Sequence, residues 1–235
     1  MSLLESDAII LKTYPLGEAD RIVVFFSRDH GKIRGVANGA RKMKNRFGAA
    51  LEPLAHTRIQ FLEKENRDLV RIQSAELLDS PMGLFADYDR AVFAAQLVDL
   101  TDRFVQDHQP HDAVFRLVRM AHVAAEGKCR LDLAACYFEV WMLRLAGVFP
   151  DLFRCSVCDR ELETGDERHL ARGLQNAICA ACDRTGAVAV HPDVAPVLAW
   201  VLKNRLDGAM PEGYERGAKN LRELNQYWIG NYFER

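Results

Sequence analysis

The sequence contains no apolar run approaching the roughly 18 residues that a membrane-spanning helix requires, so no membrane role is expected. Two acids, Glu5 and Asp7, stand ahead of its first apolar stretch. With neither a basic leader nor a small-residue cleavage site visible, a cytoplasmic protein is expected. Catalytic signatures are missing as well. No GxGxxG, HExxH or GxSxG occurs. The stretch from Gly35 to Met43 echoes a phosphate-binding loop, but its spacing is broken and it lacks the Ser or Thr that would hold magnesium. The scattered Asp and Glu residues form no pair suited to a nuclease. These absences argue against an enzyme. There is also no internal repeat and no low-complexity linker, and 235 residues suffice for one or two globular domains.

What is present changes character near residue 80. Before it, runs rich in Ile, Val, Phe and Leu occupy residues 8–12, 21–27, 32–37, 57–62 and 69–74. Turn chemistry separates them at Gly17-Glu18-Ala19-Asp20, Asp29-His30-Gly31 and Glu65-Asn66-Arg67-Asp68. Five such strands predict a small barrel of OB type. From Pro81 the period becomes helical. Leu84, Tyr88, Val92, Ala95 and Val98 predict one long helix ending near Pro110. Asp112 caps a second, carrying Phe115 and Val118 and stopping near Gly127. Asp132 caps a third, over residues 133–146, which is apolar nearly all round and so is expected at the buried centre of a bundle. Residues 193–206 and 215–233 supply two more. The expected fold is α+β: an OB-fold β-barrel over residues 1–80, then an α-helical domain over 81–235. A low-periodicity insert interrupts the latter at about 151–190.

That insert holds four of the six cysteines. Cys155-Ser156-Val157-Cys158 and Cys179-Ala180-Ala181-Cys182 are matched CxxC pairs. Each pair folds into a knuckle that aims two thiolates at one point, and two knuckles make the tetrahedral site that zinc favours. Asp159 and Asp183 follow the second cysteine of each pair, where positive φ is often needed; Asp is among the few non-glycine residues that accept it. In a chain without an export signal a disulfide framework is not expected. A dithiol redox motif would sit in a βαβ unit, and none is visible. Two matched pairs are also a poor coincidence for core thiols, the reading that suits Cys129 and Cys136. His169 and His191 are alternative ligands, but four thiolates already fill the coordination sphere. A closed all-sulfur site is expected to be structural, one zinc per chain. The nucleobase-deaminase signature fails too, since no His-x-Glu precedes either pair.

The formal net charge of −2 conceals an asymmetry. Between Arg21 and Gly48 stand Arg21, Arg28, Lys32, Arg34, Arg41, Lys42, Lys44 and Arg46, against a single acid, Asp29. A strand, then glycines that let a ligand approach the backbone, then clustered cations suit a surface that follows phosphates. Lys32, Arg34, Arg41, Lys42, Lys44 and Arg46 are therefore the candidate DNA-binding residues. A charge run is often only a solvated loop; the near-absence of acids favours nucleic acid. Phe25, Phe26 and Phe47 lie nearby and are candidates for stacking on bases, although strand aromatics such as Phe25 and Phe26 more commonly face a core.

In order and spacing these stretches resemble the RecO family. The resemblance rests on Ala8-Ile9-Ile10-Leu11-Lys12, Gly17-Glu18-Ala19-Asp20, Asp29-His30-Gly31-Lys32, Gly39-Ala40-Arg41-Lys42, Leu51-Glu52-Pro53-Leu54, and the passage from Gly147 to Pro150 into Cys155-x-x-Cys158. It covers roughly residues 5–230. It implies a DNA-binding recombination mediator in DNA repair, working in the RecF pathway in the cytoplasm and at the nucleoid. Such a protein binds single- and double-stranded DNA and anneals complementary strands. With RecR and single-stranded-DNA-binding protein it helps load RecA. Asn45 stands where the family more often has Ser, and Asp159 where Gly is usual. An OB and zinc RNA-binding module of translation or transcription is the competing expectation. RNA recognition by stacking would want several exposed aromatics on one barrel face.

Overall fold

In the strand Gly31–Ala37, Gly31, Ile33, Gly35 and Ala37 face inward while Lys32, Arg34 and Val36 face outward. That period of two builds the first half of the fold. A computed structural model describes residues 2–63, 68–127, 129–171, 176–182, 187–206 and 212–234. The expected turn at 65–67 and Asp183 lie outside the described residues. The chain divides into two compact units, residues 1–126 and 127–235.

The first unit is a five-stranded OB-type barrel with two helices. Its strands are β1 (Ser2–Leu16), β2 (Asp20–Ser27), β3 (Gly31–Ala37), β4 (His56–Glu63) and β5 (Val70–Asp79). They close in the order β1-β2-β3-β5-β4, antiparallel throughout except for β3 beside β5. Ile10, Val23, Phe25, Ile33, Phe61 and Ile72 fill the interior. The rings of Phe25 and Phe61 meet edge to face at 5.5 Å, a favoured aromatic geometry. β1 carries a bulge between Ile10 and Lys12. Were alternation unbroken, Lys12 would follow Ile10 into the core; the extra residue turns its ammonium to the outer face.

β1 and β5 run longer than their apolar segments predict. Glu5 and Asp7 interrupt the first hydrophobic pattern and Glu76 the second, yet pairing with β4 holds both as strand. The first helix, in contrast, starts later than its periodicity suggests. Pro81–Phe85 forms a 3-10 turn, with the Ser80 hydroxyl accepting from the Met82 amide. Asp87 then caps α1 (Tyr88–Phe104), its carboxylate accepting from the Arg90 amide at 2.9 Å. In α2 (Asp112–Glu126) Asp112 is the first helical residue and not the expected cap; the Val114 amide donates to His111 Nδ1 at 3.4 Å.

The second unit contains α3 (Leu131–Leu145), α4 (Val194–Lys203) and α5 (Glu215–Phe233). α3 is buried on nearly every side, and Gly147, at φ 72°, follows its end. It includes a wholly buried carboxylate, Glu139, which accepts from Arg222 at 3.2 Å and from Asn225 at 3.3 Å across to α5. Between α3 and α4 lies a small sheet ordered β7-β6-β8, made of β6 (Arg168–Leu170), β7 (Ala177–Cys179) and β8 (Val188–Ala189). Among the described residues, no helix is long and apolar enough to cross a membrane.

Candidate metal centre and basic surface

The first cysteine knuckle is a tight reversal. The Cys155 amide donates to the Arg160 carbonyl at 2.9 Å, and the Asp159 amide to the Cys155 carbonyl at 2.9 Å. Asp159 takes φ 61°, the left-handed conformation that its short polar side chain tolerates. The second knuckle begins where β7 ends. Cys179 closes the strand, and the Cys182 amide returns to the Cys179 carbonyl at 3.0 Å. Ser156 binds the two knuckles together, donating from its amide and its hydroxyl to the Ala177 carbonyl.

This arrangement gathers all four sulfurs of Cys155, Cys158, Cys179 and Cys182 within 4.8 Å of one another. The Cys158 and Cys179 sulfurs are 3.9 Å apart. A disulfide needs about 2.05 Å. Tetrahedral coordination with Zn–S bonds of about 2.3 Å places sulfurs about 3.8 Å apart, so the cluster has the size of a zinc site. Burial pushes the Cys155 thiol up, but amide hydrogen bonds from Cys179, Cys158 and Val157 outweigh it and bring the pKa to about 6. Hydrogen bonds with the Cys179 and Cys158 sulfurs raise Cys182 to about 12. A cation placed among the sulfurs would favour the thiolate form of all four. His169 and His191 are engaged elsewhere, with Glu167 at 3.2 Å and Asp193 at 3.4 Å.

The basic segment is an anchored loop. Gly39, at φ 75°, donates its amide to Asp20 at 2.7 Å, and the Arg41 amide donates to the Ala19 carbonyl at 2.9 Å. The Arg41 guanidinium reaches the Gly17 carbonyl at 2.5 Å. Asn45 accepts from the Phe47 and Gly48 amides, and Phe47 is buried in the barrel core. Held at both ends, the loop leaves Arg41, Lys42, Met43, Lys44 and Arg46 exposed. Arg46 also lies over the Phe47 ring at 4.9 Å.

The six candidate cations are not equivalent. Arg41, Lys42, Lys44 and Arg46 share this loop. Arg34 is exposed on β3, with its guanidinium 3.8 Å from Asp107. Lys32 is held differently: its side chain is only 12% exposed, and its ammonium meets the Asp102 carbonyl at 2.7 Å and the Asp102 carboxylate at 3.3 Å. The stacking candidates also sort themselves. Phe25, Phe26 and Phe47 are all buried, so none presents a ring face to a ligand. The sequence reading passed over Arg71, an exposed cation on β5 flanked by the inward-facing Val70 and Ile72. That alternation was the available signal.

Residues 1–81 match the family described as "Recombination protein O N terminal", and residues 86–229 match "Recombination protein O C terminal". The chain belongs to the RecO family. A "DNA repair protein RecO" from Koribacter versatilis is 42% identical over 183 residues, covering 77% of this chain and 73% of its own length. One from Streptomyces coelicolor is 31% identical over 239 residues, covering 97% and 94%. Another, from Syntrophotalea carbinolica, is 33% identical over 230 residues, covering 96% and 87%. RecO relatives thus match this chain across the barrel, the helices and the four-cysteine insert alike.

Proposed function

We propose that this chain is a non-enzymatic, DNA-binding recombination mediator in the RecF pathway of DNA repair. It binds single- and double-stranded DNA, anneals complementary strands, and helps load RecA together with RecR and single-stranded-DNA-binding protein. The supporting observation is RecO family membership over nearly the whole length, in a chain whose barrel presents an anchored cationic loop. Arg41, Lys42, Lys44 and Arg46 are its phosphate contacts, with Arg34 beside them. Lys32 supports the strand from which that loop departs.

Cys155, Cys158, Cys179 and Cys182 hold one zinc. The ion's contribution is charge and four bonds. An insert whose strands are only two or three residues long gains from such a staple the cohesion that longer elements give elsewhere. With every ligand a thiolate, the site has no open position for substrate. The protein acts in the cytoplasm, at the nucleoid.

The deciding experiment is annealing. Wild-type protein should accelerate pairing of complementary oligonucleotides, and the Arg41→Ala/Lys42→Ala/Lys44→Ala variant should lose most of that acceleration. Bringing two polyanions together demands the same charge neutralisation as binding them. Preference for RNA over single-stranded DNA in competition, with no annealing, would instead support an RNA-binding module.

A further inference from the structure

The four cysteine sulfurs share one cluster but not one environment. Cys155 is buried, and its sulfur accepts the Cys179 amide at 3.3 Å. Cys179 is buried as the last residue of β7, its backbone paired with Arg168 of β6. Cys182 is half-buried. Cys158 alone of the four is exposed, and it sits in a run, residues 156–160, that faces solvent throughout. Val157 beside it is 65% exposed. The first knuckle therefore shields one of its sulfurs and presents the other.

That difference determines where an oxidant arrives. The thiolate, not the thiol, attacks peroxides, and susceptibility follows thiolate character and access together. Metal binding holds all four sulfurs as thiolates, so it equalises the first factor and leaves access to choose among them. Peroxide reaches Cys158 first. A partner for the next step is already in place, since the Cys179 sulfur lies 3.9 Å away. A disulfide of about 2.05 Å requires the two sulfurs to approach by about 1.9 Å. Cys179 is fixed by its strand, so the movement falls to the exposed knuckle. The Cys155 sulfur is less available, being buried and engaged with the Cys179 amide.

We propose that Cys158 is a site of oxidative modification by peroxides: its sulfur is oxidised, Cys179 closes on it as a disulfide, and the cluster loses two of its four metal ligands together. The Cys158 thiolate attacks one peroxide oxygen. A sulfenic acid forms as the O–O bond breaks, and hydroxide leaves. The Cys179 thiolate then attacks the Cys158 sulfur, the S–S bond forms, and the S–O electron pair departs with a second hydroxide. Two protons from solvent turn both hydroxides into water. Each sulfur gives up one electron, and the peroxide takes up both. The inference rests on the zinc reading above and goes beyond it, because it gives the staple a chemical release. Cys155 and Cys182 remain, two sulfurs too few for a tetrahedral site. The insert, with strands of only two or three residues, then loses its fastening until a thiol reductant reopens the disulfide.

The test uses the full chain in a Cys129→Ser background, which removes the half-buried thiol outside the cluster. Hydrogen peroxide is added to the zinc-loaded protein. A chromophoric chelator follows zinc release, and peptide mass mapping identifies each disulfide. One zinc should leave per disulfide formed, and the first disulfide should join Cys158 to Cys179. Hydrogen exchange should quicken within residues 151–190 and recover after addition of a thiol reductant and zinc. Cys158→His supplies a nitrogen ligand that zinc accepts and that carries no thiolate. This variant should hold its zinc and release it several-fold more slowly. Cys182→His should hold zinc and release it at the unsubstituted rate. A first disulfide joining Cys155 to Cys158, unslowed release from Cys158→His, or equal slowing in both histidine variants would overturn the proposal and leave the zinc site standing. The disulfide map of the unsubstituted cluster decides independently of either variant. A chain that neither carries nor takes up zinc would overturn both readings.

Discussion

The ammonium of Lys32 lies 2.7 Å from the main-chain carbonyl of Asp102 and 3.3 Å from its carboxylate. Lys12, on the neighbouring outer face, reaches the same carboxylate at 2.7 Å. One aspartate near the end of α1 therefore collects two barrel lysines. Just beyond it, the Lys32 amide donates to the Gln106 carbonyl, and the His108 amide donates to the Lys32 carbonyl at 3.1 Å. Gly31 completes the seam, since a Cβ there would overlap the Gln109 backbone.

Lys32→Met should consequently behave as a stability variant. Hydrogen bonds to charged groups contribute about 1.5–3 kcal/mol each, and losing one leaves Asp102 with Lys12 alone. A lower urea midpoint is expected, with the salt slope of DNA binding unchanged. A flattened slope at wild-type stability would return Lys32 to the phosphate-binding set.

This pair also marks what the sequence could and could not disclose. The strands were legible because Ile33 and Ile72 alternate with outward neighbours, and the four-cysteine cluster because each CxxC closes its own knuckle locally. Lys32 read as a free cation because its partner lies 70 residues away, so no local count of acids includes Asp102. Phe47 looked like a stacking residue for the same reason. Its loop is polar, but the side chain crosses into a core built by distant strands. The late start of α1 had a local cause, Asp87, whose capping competes with the apolar spacing that continues back to Leu84. The bulge at Leu11, which turns Lys12 outward, left no compositional trace.

Purified protein should contain one zinc per chain by elemental analysis. Cys155→Ser and Cys182→Ser should each lose it, because a neutral hydroxyl replaces a thiolate ligand. Hydrogen exchange should then quicken most within residues 151–190, while the barrel core stays protected. Stoichiometric zinc in a variant lacking all four cysteines would place the metal elsewhere.

Acid should weaken the fold in two stages. Burial, reinforced by Arg119, holds the His56 pKa below its ordinary value. The folded chain thus resists a proton that the unfolded chain accepts at about 6.5. Stability is full above that pH and declines as pH falls toward the folded pKa. The second stage belongs to Asp79 and Asp102. Burial pushes both upward, but the hydrogen bond and charge of Arg119 on Asp79, and of Lys12 and Lys32 on Asp102, outweigh it and hold both below the usual carboxylate range. Their contribution is present above about 4 and is lost as pH falls through the depressed values. In urea titrations across pH, His56→Gln should remove its share of the upper stage and leave the lower one intact. Parallel wild-type and variant curves between pH 5 and about 7 would show that His56 carries no such load.

The cationic loop makes the most quantitative claim. With Lys32 committed to Asp102, the proposed phosphate contacts reduce to Arg41, Lys42, Lys44 and Arg46, with Arg34 at the margin. Each neutralised phosphate contributes about 0.7 to the salt slope on single strands and about 0.9 on duplex. Replacing Arg41, Lys42 and Lys44 by Ala should therefore flatten the slope by about 2 on single strands and by nearly 3 on duplex. Affinity should fall alike for all sequences, because phosphate contacts carry no base information. Lys42 and Lys44 are exposed and have no ion-pair partner among the described residues, so their loss should barely shift the urea midpoint. Arg41 differs slightly, since its guanidinium also holds the Gly17 carbonyl. Lys42→Ala/Lys44→Ala alone, expected to flatten the single-strand slope by about 1.4 at unchanged stability, separates charge from scaffold. A slope identical to wild type in the triple variant would mean that DNA is held by another surface, and the loop would be only a solvated turn.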